Sequence, residues 1–461
     1  MNTSREQLAS RIGFLLLSAG CAVGLGNVWR FPFIAGQYGG TIFLIAYFFF
    51  LFAVGLPILI MEFSMGRASQ KSWGKVFSTL KPQKSKWHLL SIVGIIGPFV
   101  LMMFYVPVSS WFLAYCYHTS VGSLSNLNPS EVDAFFGGML ADPMSLYGWS
   151  MLVIVLGIIT CLLGLQKGVE RIVKYLMIGL FLLLTALAIN SLTLSGASEG
   201  MSFYLAPDFA RAKEAGIFNL LNDAMNQAFF TISVGMGSML IFGSYLNKER
   251  SLTGEASYVI GLDTFVALMA GVIIFPTCFT FGVEPNAGPA LVFITLPNIF
   301  NSMAGGEVWG VLFFIFMSFA GLTTVIAIFE SIIAYFIDVY NFSRKKGTLI
   351  LFVVLSIAVL PCILGLNVWS GIQPLGVGTS ILDLEDFLIS QNILPLGSLF
   401  ILLFCTSRYG WGYNKFLEEA NKGKGLKFPT YVRFYLTYIL PVIILLVFTQ
   451  GYIKIFSKFF N

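Results

Sequence analysis

Ala22-Val23-Gly24-Leu25-Gly26-Asn27 and Ser233-Val234-Gly235-Met236-Gly237-Ser238 are the two stretches that decide the fold of this 461-residue chain. Each carries VGxG followed by a small polar residue, inside a long apolar run. A glycine in a helix interior costs roughly 1 kcal/mol relative to alanine, so a GxG pair marks a place where a helix can stop. Such pairs also occur where two membrane helices simply pack closely. Position separates the two cases. The pairs fall near mid-membrane in the first and sixth apolar runs, five runs apart, and five is odd. The second copy therefore enters from the opposite side, as an inverted-topology repeat requires. Backbone groups freed at such a break find no water in lipid; a bound ion and a bound substrate can partner them. A nucleotide loop is excluded, since neither stretch has the third glycine of GxGxxG or follows a strand.

The rest of the chain agrees with a membrane setting. Hydrophobic residues make up 57%, charged residues only 11%, and the mean hydropathy is +0.84, too apolar for a soluble domain to cover. Apolar runs of about 20 residues span a bilayer as helix, and the period-2 alternation of barrel strands is missing. The sequence predicts an all-α polytopic protein with eleven spans, at 12–35, 40–65, 88–121, 147–165, 169–191, 218–246, 253–283, 307–339, 347–366, 383–406 and 431–455. The repeats divide it into residues 1–191, residues 192–410, and an extra helix in 411–461. The connections at 122–146 and 192–217, rich in Ser, Asn, Pro and Gly, suit outer loops with short helices.

Basic residues set the orientation. With a cytoplasmic N-terminus, the inner segments hold 22 of the 27 Lys and Arg, clustered at 67–86, 167–174, 344–346 and 408–433, with four outside and Arg30 within the first span. The expectation is a cell-membrane protein with its N-terminus inside and C-terminus outside. Its net charge of +5 faces anionic lipid, and no soluble basic domain offers itself to nucleic acid. Arg5 and Arg11 precede an apolar run, but no small-residue cleavage site follows, so the segment reads as retained. The six cysteines (21, 116, 161, 278, 362, 405) sit in or beside spans without a CxxC and read as packing residues. There is no HExxH or GxSxG and there are only two histidines, His88 and His118, so an enzyme is not expected. Neither is a channel, for lack of a filter-like run.

Several motifs resemble one family. Arg11-Ile12-Gly13-Phe14, Ala22-Val23-Gly24-Leu25-Gly26-Asn27-Val28-Trp29-Arg30-Phe31-Pro32 and Gly39-Gly40 are similar to the first span of the neurotransmitter:sodium symporters. Glu62-Phe63-Ser64-Met65-Gly66-Arg67, Phe229-Phe230-Thr231-Ile232-Ser233, Phe293-Ile294-Thr295-Leu296-Pro297 and Phe319-Ala320-Gly321-Leu322-Thr323-Thr324 extend the likeness across the chain. An eleven-span count resembles the family's bacterial amino-acid transporters. The resemblance implies a 5+5 inverted-repeat fold with unwound helices 1 and 6, and sodium symport by alternating access.

The resemblance also implies sites. A hard cation wants several oxygen ligands, which an intact helix cannot spare. One sodium site would use the carbonyls of Gly20, Val23 and Ala320 with the hydroxyls of Thr323 and Thr324. Outside this motif, adjacent threonines in a span usually bond back to the i−4 carbonyl. A second sodium site would use the Ala22 carbonyl, Asn27, Thr231 and Asp263, an ionisable group deep in a span and so costly unless functional. In the family's animal members chloride supplies negative charge near this ion; a carboxylate here makes chloride unnecessary.

For the substrate, the N–H groups near Leu25 and Gly26 with the Tyr105 hydroxyl would hold a carboxylate. Carbonyls around Phe230, Thr231 and Ser233 would take the ammonium. Carriers of monoamines have an aspartate where this chain has Gly24, so the resemblance points to an α-amino acid. Leu101, Phe230, Met236 and Ile328, with Thr324 beside them, would line an apolar side-chain pocket suited to a hydrophobic or aromatic cargo. Arg30 and Asp386, bridged by water, would close the outer side over a Phe230 lid. Arg5 and Asp338, with Ser244 and Tyr245, would close the inner side. Glu330 stands where relatives often carry glutamine. The remaining partners are the lipid bilayer and, at most, a weak dimer contact. A carrier of the same fold for another small solute is the alternative.

Overall fold

The structure is a computed structural model that describes residues 6–282, 291–303 and 305–460. Among these residues every regular element is helical, with two isolated β-bridges and no named strand. Nine helices are long and apolar enough to cross a membrane: Thr41–Ser69, Trp87–Ser120, Pro143–Leu162, Leu165–Leu192, Leu252–Thr280, Gly306–Tyr340, Arg344–Gly365, Ile381–Thr406 and Tyr435–Ile453. A tenth span is a bent pair, Arg11–Ala22 and Gly26–Gln37, whose halves diverge by 56°. The expected sixth span is Ile217–Thr231 and Ser238–Gly243, separated by six unwound residues. Neither half is long enough to count as a crossing alone, which is why eleven expected spans give ten by length and composition.

The breaks fall at the two GxG stretches, yet the glycines act differently in each. In the first, Val23 turns extended (φ −67°, ψ 103°), and its glycines are needed for room. A Cβ on Gly24 would sit 2.4 Å from the Tyr105 hydroxyl, and one on Gly26 would sit 2.7 Å from the Phe230 ring. In the second, Gly235 and Gly237 have φ of 93° and 86°, and Ser233 has φ 50°. L-residues other than Gly, Asn and Asp seldom adopt that region, so this break is a backbone requirement. Ser233 stores strain there.

Burial orders the bundle. The central window of Gly306–Tyr340 is 72% buried, whereas that of Tyr435–Ile453 is 28% buried. The eighth span is thus the spine, packed on the first, third, fourth and fifth spans, and the eleventh is a peripheral helix against the sixth and tenth. The connections at 122–146 and 192–217 carry short helices, Pro129–Ala141, Ala197–Leu205 and Phe209–Ala215. The first opens on a capping box in which Asn128 and Glu131 satisfy each other's backbone amides. All six cysteines are free thiols, five of them buried in the bundle.

Candidate functional site

The freed carbonyls of the first break meet two threonines of the eighth span. The Thr324 hydroxyl lies 3.3 Å from each of the carbonyl oxygens of Gly20, Val23 and Ala320, and Thr323 donates to the Ala320 carbonyl at 3.0 Å. All five residues are buried. Oxygens spaced in this way match neighbouring ligands around a hard cation with metal–oxygen distances of roughly 2.4 Å. The hydroxyls do bond back to their own helix, as the simplest reading of adjacent threonines expects. Thr324 in addition reaches across to the first span.

A second polar cluster lies on the other side of the first break. Asp263 Oδ1 accepts from the Asn27 amide at 2.7 Å, and its Oδ2 accepts from the Thr231 hydroxyl at 2.9 Å. Asn27 also donates to Thr231 Oγ1 at 3.0 Å, while its Oδ1 accepts from Gly24 N–H at 3.0 Å. Asp263, Asn27 and Thr231 are buried. The Asn27 –NH₂ stands between two oxygens as a partial positive charge. A cation taking that position requires the amide to rotate so that Oδ1 faces it. No helix-end placement explains Asp263: it sits mid-way along Leu252–Thr280 and points into the bundle.

Between these clusters lies a small cavity lined by Gly24, Gly26, Leu101, Tyr105, Phe230, Ser233, Met236 and Thr324, with Cys21, Ala22, Ile389 and Leu394 completing the wall. Leu25 N–H donates to the Tyr105 hydroxyl at 3.2 Å. Of the other expected pocket residues, Thr231 faces Asp263, and Ile328 is fully buried in the eighth span but does not reach the cavity wall. Ile389 lies within a π-helical stretch, Leu388–Ile393, of the tenth span, and Leu394 follows it directly. No motif marks them, because an apolar residue in a span carries no sequence signal of what it faces.

The pair expected to close the outer side is in closer contact than a water bridge. Arg30 and Asp386 approach to 3.9 Å, and the Ser390 hydroxyl joins them, accepting from Arg30 at 3.0 Å and donating to Asp386 at 2.7 Å. The Arg30 guanidinium also lies 5.0 Å from the centre of the Phe230 ring, which lines the cavity. Ser390 was missed because a serine one turn after an aspartate is unremarkable in sequence.

Of the residues expected to close the inner side, Asp338 accepts from Ser72 N–H at 2.6 Å, and Ser244 bonds back to the Ile241 carbonyl. Arg5 lies outside the described residues. Tyr245 donates to Glu330 at 2.7 Å, and Arg344 binds both Glu330 oxygens and Glu6. The glutamate at 330 thus joins the sixth, eighth and ninth spans to the N-terminal segment. Glu62 accepts from Gly235 N–H at 2.6 Å and Leu240 N–H at 3.0 Å. It satisfies amides orphaned by the second break.

Two broken helices placing freed backbone beside buried oxygens and a gated cavity define a secondary transporter of the broken-helix type. The model of the sodium:neurotransmitter symporter family matches residues 5–128 and 141–461. The chain is 33% identical to an uncharacterized sodium-dependent transporter of Bacillus subtilis, over 96% of each chain. It is 32% identical to another of Haemophilus influenzae, over 98% of this chain and 99% of that one. A crystal structure of MhsT in complex with L-phenylalanine superposes with a TM-score of 0.87 at 37% identity, covering 97% of this chain and 100% of that one. The chain therefore belongs to the sodium:neurotransmitter symporter family: a multi-pass membrane, sodium-dependent transporter and not an enzyme.

Proposed function

We propose that the protein imports a small neutral amino acid with a hydrophobic or aromatic side chain, together with two sodium ions and without chloride. The observation that carries the cargo class is Gly24. Its missing side chain leaves the Tyr105 hydroxyl on the cavity wall, held by the Leu25 amide behind it, with no acid to pair an amine, so the substrate brings its own carboxylate. The apolar wall of Leu101, Phe230, Met236, Ile389 and Leu394 favours an apolar side chain, and the bound L-phenylalanine of the MhsT structure supports the same class. The oxygen set around Thr324 and the Asp263 cluster would each take one sodium. The Asp263 carboxylate supplies the anionic charge that would otherwise come from chloride.

In this account residues 1–191 and 192–410 are the two inverted repeats, with 411–461 an appended helix. The N-terminus is cytoplasmic and the C-terminus outside in a cell membrane, as the basic-residue asymmetry supports. Arg30, Ser390 and Asp386 close the outer path; Asp338, Tyr245 and Glu330, with Arg5, Ser244 and Arg344, close the inner one. The protein works as a monomer or weak dimer.

The test is binding of the twenty amino acids to detergent-purified protein, with sodium against choline and with chloride against gluconate. Sodium-dependent binding of apolar amino acids that survives chloride removal is expected. Binding lost in gluconate would sink the chloride claim; binding of no amino acid would sink the cargo.

A further inference from the structure

The tenth span supplies a gate residue pair and a cavity wall from the same turn. Asp386 and Ser390, which meet Arg30, stand one turn apart. Ile389, between them in sequence, lines the cavity and is fully buried. The third span packs against this turn and runs the opposite way. On the third span Tyr105, Leu101 and Gly97 recur every four residues, so they share one face and each stands about 6 Å along the helix from the next. Tyr105 and Leu101 line the cavity. Gly97 meets the tenth span instead: a Cβ on it would lie 3.0 Å from the Ile393 side chain and 3.2 Å from the Met236 Cβ. Ile393 is therefore level with Gly97, and Ile389, one turn back along a helix of opposite direction, is level with Leu101.

The cavity thus has a polar end, where the Tyr105 hydroxyl lies beside Gly24, and an apolar end between Leu101, Met236 and the tenth span. Much of the apolar end cannot yield. Gly97 leaves Met236 and Ile393 no slack behind them. The second break also lies backbone against backbone on the tenth span, since a Cβ on Gly235 would collide with the Leu394 carbonyl and one on Gly397 with the Gly235 carbonyl. Leu394 is anchored by that contact. Ile389 reaches the cavity from the π-helical turn by its branched side chain. From this geometry we infer that Ile389 is a specificity-determining residue, whose side chain sets the largest cargo side chain that the cavity accepts.

The inference rests on the cargo reading above, an apolar amino acid with its carboxylate at Tyr105, and adds the residue that grades the members of that class. Ile389→Ala removes three carbons from the wall and makes room for a larger cargo; Ile389→Phe fills the room. One methylene too many or too few in an apolar pocket shifts the preference between two ligands by about 10- to 200-fold. The effect falls on the preference rather than on binding as a whole. Every cargo shares the same carboxylate, ammonium and sodium contacts, and these cancel in a ratio of affinities.

The experiment measures sodium-dependent binding of L-valine, L-leucine, L-phenylalanine and L-tryptophan to the purified full chain, as wild type, Ile389→Ala and Ile389→Phe. The affinity for L-tryptophan relative to L-valine should rise at least about tenfold in Ile389→Ala and fall at least about tenfold in Ile389→Phe. Ile389→Val, one methylene shorter, replaces either variant should it not fold, and shifts the same ratio in the direction of alanine. Ratios equal to those of wild type overturn the inference. So does a common change in all four affinities, which would mean that the substitution disturbs the turn and the gate beside it rather than the pocket. Both of those outcomes leave the cargo reading intact. Absence of sodium-dependent binding of all four amino acids in wild type overturns that reading, and the inference with it.

Discussion

Asp263→Asn is the most informative single change. It keeps the size of the side chain and, with its remaining oxygen, the ability to accept from Thr231, while removing the charge and one acceptor oxygen. In the present arrangement Asp263 takes hydrogen bonds of 2.7 Å from Asn27 and 2.9 Å from Thr231. A cation replacing the Asn27 –NH₂ therefore lies within about 4 Å of the carboxylate. At that separation, with an effective dielectric of about 20, a unit charge pair is worth about 4 kcal/mol. Loss of that attraction corresponds to a weakening of sodium affinity of about a thousandfold at this site. The assay is sodium titration of amino-acid binding at fixed ligand, run in chloride and in gluconate. The variant should need far more sodium in gluconate and recover part of the loss in chloride, because a halide can replace the missing charge. A sodium half-saturation within about threefold of wild type in gluconate would refute the assignment of Asp263 to the ion.

Five further substitutions test other parts of the site. Gly24→Ala puts a methyl 2.4 Å from the Tyr105 hydroxyl, so amino-acid affinity should fall at least about tenfold, as it should in Tyr105→Phe. Unchanged binding in both would separate Tyr105 from the substrate carboxylate. Ser390→Ala removes the hydroxyl that joins Arg30 to Asp386, and ligand dissociation should quicken by about five- to tenfold; an unaltered off-rate would remove Ser390 from the gate. Arg344→Leu leaves the fully buried Glu330 without its counter-charge and should cost about 3–5 kcal/mol of stability in detergent thermal unfolding, whereas Glu330→Gln should cost much less. Equal losses would mean that packing, not charge, holds that corner.

Much of this site is legible in sequence because it depends on residues that are expensive where they stand. Glycine pairs inside apolar runs, an aspartate deep in a span and adjacent threonines beside a break each carry a cost that implies a partner. Those signals led to Gly24, Asp263 and Thr324; Gly24 and Thr324 line the cavity, and Asp263 lies in the polar cluster with Asn27 and Thr231. The two GxG stretches looked equivalent in sequence, and only the backbone separates them. The second needs positive φ at Gly235 and Gly237, while the first needs empty space beside Tyr105 and Phe230.

What stayed hidden costs nothing locally. Ile389 and Leu394 are ordinary apolar residues whose facing is set by a π-helical stretch that hydropathy does not report. Ser390 acts only because Arg30, 360 residues away in sequence, folds against it. Glu330 looked like an odd substitution until Arg344, from the next span, closed over it. The sixth span falls short as a crossing helix because its unwound middle divides it into two short pieces.

The measurement that bears most directly on the central claim is uptake of a labelled apolar amino acid into proteoliposomes under an imposed inward sodium gradient. Accumulation above the external concentration, saturating in substrate and abolished when an ionophore collapses the sodium gradient, is the predicted result. Equilibration without accumulation, or uptake indifferent to sodium, would contradict a sodium-driven amino-acid symporter.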